Sequence, residues 1–370
     1  MRIAFRTDAS LQIGTGHVMR CLTLADALAA RGGDCQFICR EHPGHLIDYI
    51  RTKGFVVHSL PVVALADKDV LAIEPGSTSL ELAHRDWLGA TQAQDAEVCT
   101  PILAELNPDW LIVDHYALDN RWERALEPHY LQLMAIDDLA DRPHVCHVLL
   151  DQTFGRETAD YRLLVPSACR LLCGSQYALL RPEFAALRPY SLQRRARPAL
   201  RELLITMGGV DKDNATGQVL HALRTCPLPA GCRITVVMGA TAPWLDEVRK
   251  QAQDMPWSTR VLVGVSDMAQ LMVDSDLAIG AAGATSWERC CLGLPTIMLV
   301  LAENQRKVAL GLQRAGAARL IDLTQHATMQ LKELLVPFID APSELLHMSE
   351  CAADIVDGAG PDAVVQQMEV

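Results

Sequence analysis

The chain lacks a basic excess and a long hydrophobic run, and we expect no signal peptide from its first residues. Its 370 residues carry 33 Lys and Arg against 45 Asp and Glu, so the net charge is −12. Such a charge does not attract nucleic-acid phosphates, and we expect no nucleic-acid partner. The longest apolar stretches, near 277–284 and 294–302, are shorter than the ~20 residues of a membrane span. Asp8 interrupts the first apolar run, so we expect a cytoplasmic protein with no membrane partner.

The twelve cysteines include no CxxC pair, which argues against both a zinc site and a small secreted disulfide framework. We therefore expect reduced, mostly buried thiols, no metal and no other cofactor. Hydrophobic residues make up 50% of the chain and charged residues 21%, which is typical of a folded globular protein. At roughly 150 residues per domain, the length indicates two domains.

Two parts of the chain share one pattern, in which an aliphatic run is followed by glycines and then by apolar residues at helical spacing. In the first part we predict strands at 2–5, 35–39, 55–58, 110–113, 133–136 and 148–150, and a helix over 17–30. In the second part we predict strands at 203–206, 234–238, 260–263, 277–279 and 295–301, and a helix from about 214. Alternating strands and helices predict a parallel sheet covered on both faces in each part. The stretch 61–97 is predicted to be an irregular insertion with one helix.

These patterns predict four divisions of the chain. An N-terminal domain spans 1–182, a linker 183–200, a C-terminal domain 201–343 and a final helical segment 344–370. The linker assignment rests on three prolines and on a basic run at 194–197, whose charges we expect to be solvated. The family resemblance described below implies that the final helical segment packs back on the first domain, and 344–357 is the stretch expected to do so.

A short glycine-containing motif, Gly14-Thr15-Gly16-His17, lies between the first predicted strand and the first helix. Glycines allow positive φ, and the N–H groups of a helix start favour an anion. Met19 occupies the third glycine position of the dinucleotide fingerprint, so NAD is not expected. A neutral His17 imidazole in the first helical turn, at the carboxyl end of a strand, suits a general base. The alternative is a histidine that caps or packs in a tight turn.

A second motif, Gly280-Ala-Ala-Gly283-Ala-Thr285-Ser286-Trp287-Glu288, follows another strand. The N–H groups of 283–286 are expected to bind a diphosphate without lysine or metal. Glu288 is placed to bind ribose hydroxyls, but Thr285-x-x-Glu288 also fits a capping box, and the residues alone leave both interpretations open. Asn304-Gln305, after the next strand, is either a second contact to the same ligand or an ordinary polar cap.

Several ordered blocks resemble the UDP-sugar hydrolases of pseudaminic acid biosynthesis. They include FRTDASLQIGTGHVMRCLTLADAL at 5–28, LIVDHYALD at 111–119, DLAIGAAGATSWERCCLGLPTI at 276–297 and AENQ at 302–305. The resemblance implies an α/β, GT-B-like fold: two Rossmann-like, doubly wound parallel-sheet domains facing a cleft, as in the UDP-GlcNAc transferase of peptidoglycan synthesis. It also implies a metal-independent enzyme, expected to be a monomer.

The activity that the resemblance implies is release of UDP from UDP-2,4-diacetamido-2,4,6-trideoxy-β-L-altropyranose, by water attack at the anomeric carbon with inversion. His17 is implied as the catalytic base. The implied substrate-binding residues are Gly14, Gly16, Arg20, Tyr116, Gly283, Ala284, Thr285, Ser286, Glu288, Asn304 and Gln305. A UDP-sugar glycosyltransferase, a nucleotide-sugar epimerase and a non-catalytic nucleotide-sugar binding protein remain as alternatives on the same fold.

Overall fold

A computed structural model describes residues 1–62, 82–322 and 327–369. The chain divides into an N-terminal unit, Met1–Leu179 with Pro361–Val370, and a C-terminal unit, Leu180–Gly360. Each unit is an α/β structure built on one parallel sheet, so the predicted fold class of two doubly wound parallel-sheet domains is confirmed.

The N-terminal unit contains, within its described residues, a seven-stranded parallel sheet of order β3-β2-β1-β4-β5-β6-β7. Its strands are almost continuously apolar because helices cover both faces. The short β7 was not predicted, since its four residues carry no long aliphatic run. The strands are β1 Arg2–Thr7, β2 Asp34–Arg40, β3 Val56–Leu60, β4 Trp110–Asp114, β5 Gln132–Ile136, β6 Val148–Asp151 and β7 Arg170–Cys173.

The helices of this unit are α1 Gly16–Ala29, α2 Ile47–Thr52, α3 Gln92–Leu106, α4 Asn120–Ala125 and, from the chain's end, α13 Gly360–Met368. The predicted insertion at 61–97 falls partly on 63–81, outside the described residues. Its described part contains a 3₁₀ turn at Arg85–Leu88 and the start of α3. Thr91 and Gln94 form a capping box there, which explains why α3 begins at Gln92.

The C-terminal unit has a six-stranded parallel sheet in its described part, of order β10-β9-β8-β11-β12-β13. Its strands are β8 Glu202–Thr206, β9 Arg233–Met238, β10 Ser258–Val263, β11 Leu277–Ala281, β12 Thr296–Leu299 and β13 Arg319–Ile321. Its helices are α5 Pro182–Arg195, α6 Ala215–Leu223, α7 Leu245–Gln253, α8 Met268–Asp274, α9 Thr285–Cys291, α10 Arg306–Arg314, α11 Ala327–Asp340 and α12 Ser343–Ala353. The three-residue β13 was not predicted.

The predicted exposed linker at 183–200 is wrong for most of its length, because 182–195 form α5. Pro182 stands in the first turn, where a missing N–H costs nothing. Arg195 is buried, and its guanidinium donates to the carbonyls of Ser275 and Met272 at 2.9 Å each. Part of the basic run, which was predicted to be solvated, therefore donates hydrogen bonds to carbonyls at the C-terminal end of α8.

The end of the chain also differs from the predicted segment. Most of 344–357 lies in α12, within the C-terminal unit, whereas residues 361–370 belong to the N-terminal unit. Val364, Val365 and Met368 of α13 are buried in the core that lies beside α1 and β1. The packing of the chain's end onto the first unit is therefore made by α13 and not by 344–357.

Candidate active site

Three adjacent strands, β1, β4 and β5, bring the predicted N-terminal site residues to one edge of their sheet. His17 lies in the first turn of α1, after β1. Asp114 ends β4, and Asp138 follows β5. The sheet order reverses between β1 and β4, and the carboxyl ends of strands at such a reversal are where open α/β sheets bind ligands.

His17 is oriented by a carboxylate that the sequence reasoning did not single out as its partner. Its Nδ1 lies 2.5 Å from Oδ1 of Asp114, a residue that is completely buried. Because a carboxylate can only accept at this distance, Nδ1 carries a proton, and Nε2 is the ring nitrogen that is left to accept one. Nε2 has no hydrogen-bond partner among the described residues. This is the arrangement of a general base with a carboxylate that sets its tautomer.

Arg20 holds the carboxylates in place. Its Nε and Nη2 donate to Asp114 at 2.6 and 2.7 Å, and its Nη1 donates to Asp138 at 2.5 Å. Burial alone would raise the pKa of Asp114, but the charge of Arg20 and the contact with His17 lower it well below its usual range. Arg20 is itself buried. Its contacts favour a positioning role over the predicted contact with substrate.

Aromatic rings surround the open side of His17. The Tyr116 ring stands edge-on to His17 at 4.5 Å between centroids, and its hydroxyl donates to Asp138 at 2.7 Å. Trp87 stacks on Tyr116 at 5.9 Å, and His84 lies 4.2 Å from Trp87. The sequence reasoning missed Trp87 and His84 because they precede α3 in a weakly periodic segment. Aromatic faces therefore line the site next to His17.

The two glycines of the first motif shape the turn before α1. Gly14 has φ +81 and donates its N–H to the Ser10 carbonyl at 2.8 Å, so this position favours glycine. A Cβ on Gly16 would meet open space, and Thr15 makes no side-chain cap to the helix. Among the described residues, the first-turn N–H groups of Gly16, His17 and Val18 have no acceptor. Direct contacts of Gly14 and Gly16 with substrate stay a prediction.

In the C-terminal unit, the second motif follows β11, beside β8, at the point where that sheet order reverses. Gly280 is needed for close approach, since a Cβ there would lie 2.9 Å from the Thr206 carbonyl of the neighbouring strand. Among the described residues, the N–H groups of Gly283, Ala284 and Thr285 have no acceptor. That of Ser286 already donates to Gly283 at 2.9 Å, and its side chain is buried. The predicted diphosphate contact through the Ser286 N–H is thus unavailable while this turn is intact.

Glu288 makes no capping box. Ala284 occupies the N-cap of α9 without any side-chain cap, and the nearest cation to Glu288 is Arg181 at 3.8 Å. Burial raises the pKa of Glu288 to about 7, and the positive charges of Arg181 and Arg289 oppose part of this rise. The capping alternative is therefore excluded, and ribose binding by Glu288 stays a prediction.

The predicted amide pair follows β12 in a 3₁₀ turn at Glu303–Gln305. The Gln305 side-chain oxygen accepts from the Leu301 N–H at 3.0 Å. Its amide nitrogen lies 3.9 Å from where a Cβ of Gly283 would stand, so Gln305 does reach the second motif. The side chain of Asn304 lies outside the described part of the chain. Across the described residues, no group of three or more His, Cys, Asp or Glu is placed to hold a metal ion.

Comparisons with known proteins agree with this fold. The crystal structure of Acinetobacter baumannii MurG matches all of this chain and 99% of its own, with a TM-score of 0.69 at 16% identity. The chain has the GT-B fold. The Glycosyltransferase family 28 C-terminal domain matches residues 219–359 of this GT-B protein.

Sequence relatives include a nucleotide-sugar hydrolase. UDP-2,4-diacetamido-2,4,6-trideoxy-beta-L-altropyranose hydrolase of Campylobacter jejuni is 27% identical over 85% of this chain and 97% of its own length. A UDP-N-acetylglucosamine transferase acting on an undecaprenol-linked acceptor, from Hahella chejuensis, is 28% identical over 50% of this chain and 51% of its own length. The resemblance inferred from the motifs is confirmed. None of the helices in the described ranges is long and apolar enough to cross a membrane.

Proposed function

We propose that the protein hydrolyses UDP-2,4-diacetamido-2,4,6-trideoxy-β-L-altropyranose to UDP and the free sugar, in pseudaminic acid biosynthesis. The observation that carries the proposal is the His17–Asp114 pair, in which Nε2 of His17 is free to accept a proton. The likeness to the Campylobacter jejuni hydrolase over nearly its whole length supports the choice of substrate.

In the proposed reaction, a water oxygen attacks the anomeric carbon while Nε2 of His17 takes one of its protons. The bond from the anomeric carbon to the diphosphate oxygen breaks, and its electron pair leaves with UDP. Attack from the side opposite the leaving group inverts the anomeric centre. Because UDP is a good leaving group, the reaction needs no second carboxylic acid of the kind glycosidases use.

The proposal assigns the two ends of the substrate to different sets of residues. The sugar is assigned to Tyr116 and Trp87, which form the apolar wall near His17. The diphosphate is assigned to the free N–H groups of Gly283, Ala284 and Thr285, and the ribose to Glu288. Asn304 and Gln305 are assigned to the phosphate and sugar region.

The proposal includes a cytoplasmic monomer. All twelve cysteines are free thiols, the usual state in a reducing compartment. Light scattering of the purified protein at micromolar concentration tests the monomer, and a mass of twice 40.5 kDa would contradict it.

The deciding experiment incubates the purified protein with the UDP-sugar alone in ¹⁸O-labelled water. We expect UDP and free sugar in equal amounts, with no ¹⁸O in the UDP, because the carbon–oxygen bond breaks. Proton NMR in the first minutes should show the inverted anomer. Label in the UDP would refute attack at carbon.

The similarity to a transferase favours one alternative, a UDP-sugar glycosyltransferase that uses the same base on an acceptor hydroxyl. The same incubation separates the two functions, since a transferase leaves the UDP-sugar largely intact without acceptor. A UDP-linked epimer as product would instead indicate an epimerase, and an unchanged substrate bound to the protein a binding function.

A further inference from the structure

Arg289 is a buried cation in the C-terminal unit that the proposed chemistry has not used. It lies in α9, and its side chain is 1% exposed. None of the carboxylates in the described part of the chain lies within ion-pair distance of its guanidinium. Glu288 acts on this charge only from beyond ion-pair distance, and a buried cation without a direct ionic partner costs considerable free energy. Burial accordingly lowers the pKa of Arg289, to about 10.

The guanidinium is directed at the loop that follows β11. Nη2 donates to the Ala281 carbonyl at 2.7 Å and to the Ser286 hydroxyl at 3.2 Å, and Nη1 donates to the Thr285 hydroxyl at 3.1 Å. Nε is buried and makes no hydrogen bond to any described residue. The loop is thus organised by a cation that retains unused hydrogen-bonding capacity.

The sequence makes room for this arrangement at Gly280. A Cβ at Gly280 would lie 2.8 Å from Nη1 of Arg289, so a larger residue would displace the guanidinium. Gly280 and Arg289 therefore act together.

The contact with Thr285 has a consequence for its hydroxyl. A hydroxyl has one donor and two acceptor positions, and Arg289 fills an acceptor position. The O–H of half-buried Thr285 is left to donate, and Thr285 directly follows Gly283 and Ala284, whose N–H groups make no hydrogen bond to any described residue. Donors backed by an unpaired positive charge match an anion with several oxygens.

We propose that Arg289 is a positioning residue for the diphosphate of UDP: it holds the loop 281–286 and turns the Thr285 hydroxyl outward, and its charge is compensated when the diphosphate binds. The inference rests on the UDP-binding part of the proposed function and not on hydrolysis. It explains how an acidic protein holds an anion without an exposed lysine in the loop.

The test compares two ligands that differ only in the diphosphate. UDP and uridine are titrated into wild-type protein and into Arg289→Met, by calorimetry for UDP and by NMR for the weaker uridine. We expect the Kd for UDP to rise by about tenfold to a hundredfold in the variant. The Kd for uridine should change by less than about twofold, and the salt dependence of UDP binding should become shallower.

Arg195→Met is the matched control. Arg195 is also a buried arginine of this unit, but its guanidinium donates to carbonyls of Met272, Ser275 and Leu292, outside the loop. This variant should lose thermal stability and keep the wild-type affinity for UDP.

Equal weakening of UDP and uridine in Arg289→Met, or unchanged UDP affinity, would overturn the proposal. If Arg289→Met does not fold, Thr285→Val decides: a selective loss of UDP affinity supports the proposal, and an unchanged Kd refutes it. Wild-type protein that binds UDP without hydrolysing the UDP-sugar would refute the hydrolase and leave this inference standing. Wild-type protein that fails to bind UDP would refute both.

Discussion

The buried arginines of the two units differ in whether they form ion pairs. In the N-terminal unit, the buried arginines 6, 20, 40, 142 and 156 each pair with a buried or partly buried aspartate. In the C-terminal unit, Arg195 and Arg289 are as deeply buried, but no aspartate or glutamate of the described residues pairs with either. Burial lowers the pKa of both, to about 9 and about 10.

The difference indicates two uses of the same side chain. Arg20 compensates Asp114, and the pair holds His17 in one tautomer, so the charges serve to position a base. Arg195 interacts with carbonyls at the ends of helices and is structural. Arg289 faces a loop with free donors, where the missing negative charge is that of a ligand. Paired arginines thus position protein groups, whereas the two unpaired arginines differ: the guanidinium of Arg195 is used by helix-end carbonyls, and that of Arg289 is proposed to serve a bound anion.

The largest expected effect comes from removing the group that the N-terminal pairs support. His17→Asn should lower turnover of the UDP-sugar by about two orders of magnitude or more, because the general base is lost. The Kd for UDP should remain close to wild type, since no proposed UDP contact is removed. Steady-state kinetics and calorimetry measure the two quantities. Near-normal turnover would remove His17 from the mechanism.

The second prediction breaks the pairing itself. Asp114→Asn should lower kcat by about tenfold to a hundredfold, since the ring of His17 loses the acceptor that sets its tautomer. It should also lower the free energy of unfolding by about 1.5–3 kcal/mol, because Arg20 loses the charge of Asp114 and keeps only that of Asp138. The pH profile of kcat should shift along with the loss. A variant with reduced stability and unchanged kcat would make Asp114 structural only.

The third prediction concerns a carboxylate of the C-terminal unit. The pKa of Glu288 is about 7 in the folded protein, against a reference value of 4.5. The folded state therefore binds the proton more tightly, so this group's stabilising effect is present below about pH 4.5 and is lost as pH rises towards 7. The free energy of unfolding therefore declines as pH rises from about 4.5 to 7, and Glu288→Gln should remove up to about 3 kcal/mol of that decline.

Urea unfolding of wild type and Glu288→Gln at pH 5 and pH 8 measures the effect. The two proteins should differ more at pH 8, where the variant is the more stable. The variant should also bind UDP more weakly if Glu288 accepts from the ribose hydroxyls. Parallel pH dependence in the two proteins would contradict the raised pKa.

The smallest expected effect tests the aromatic wall. Trp87→Leu should raise KM for the UDP-sugar by about threefold to tenfold, the scale of one aromatic contact. UDP, which lacks the sugar, should bind as before. Trp257→Leu is the control, because Trp257 is a half-buried tryptophan of the C-terminal unit that directly precedes β10, at the amino end of that strand. An unchanged KM, or an equal loss of UDP affinity, would remove Trp87 from the sugar site.

The sequence by itself determined the two α/β units, most of their strands, and the positions of the two glycine-containing motifs. These features are local: aliphatic runs form strands, glycines mark the turns after them, and helical spacing follows. His17 could be predicted because the glycine-containing motif after the first strand is recognisable from a few consecutive residues.

Only the tertiary structure decided the contacts between distant residues. The pairing of His17 with Asp114 spans 97 positions, and the wall of Trp87 and Tyr116 joins an irregular segment to β4. The basic run at 194–197 looked like a solvated linker because sequence does not show which carbonyls lie beside a guanidinium. The burial of Arg289, and its lack of an ion-pair partner among the described residues, are likewise properties of packing. The pattern of residues along the chain predicts helices and strands. Which charged side chains neutralise one another depends on how those helices and strands pack together.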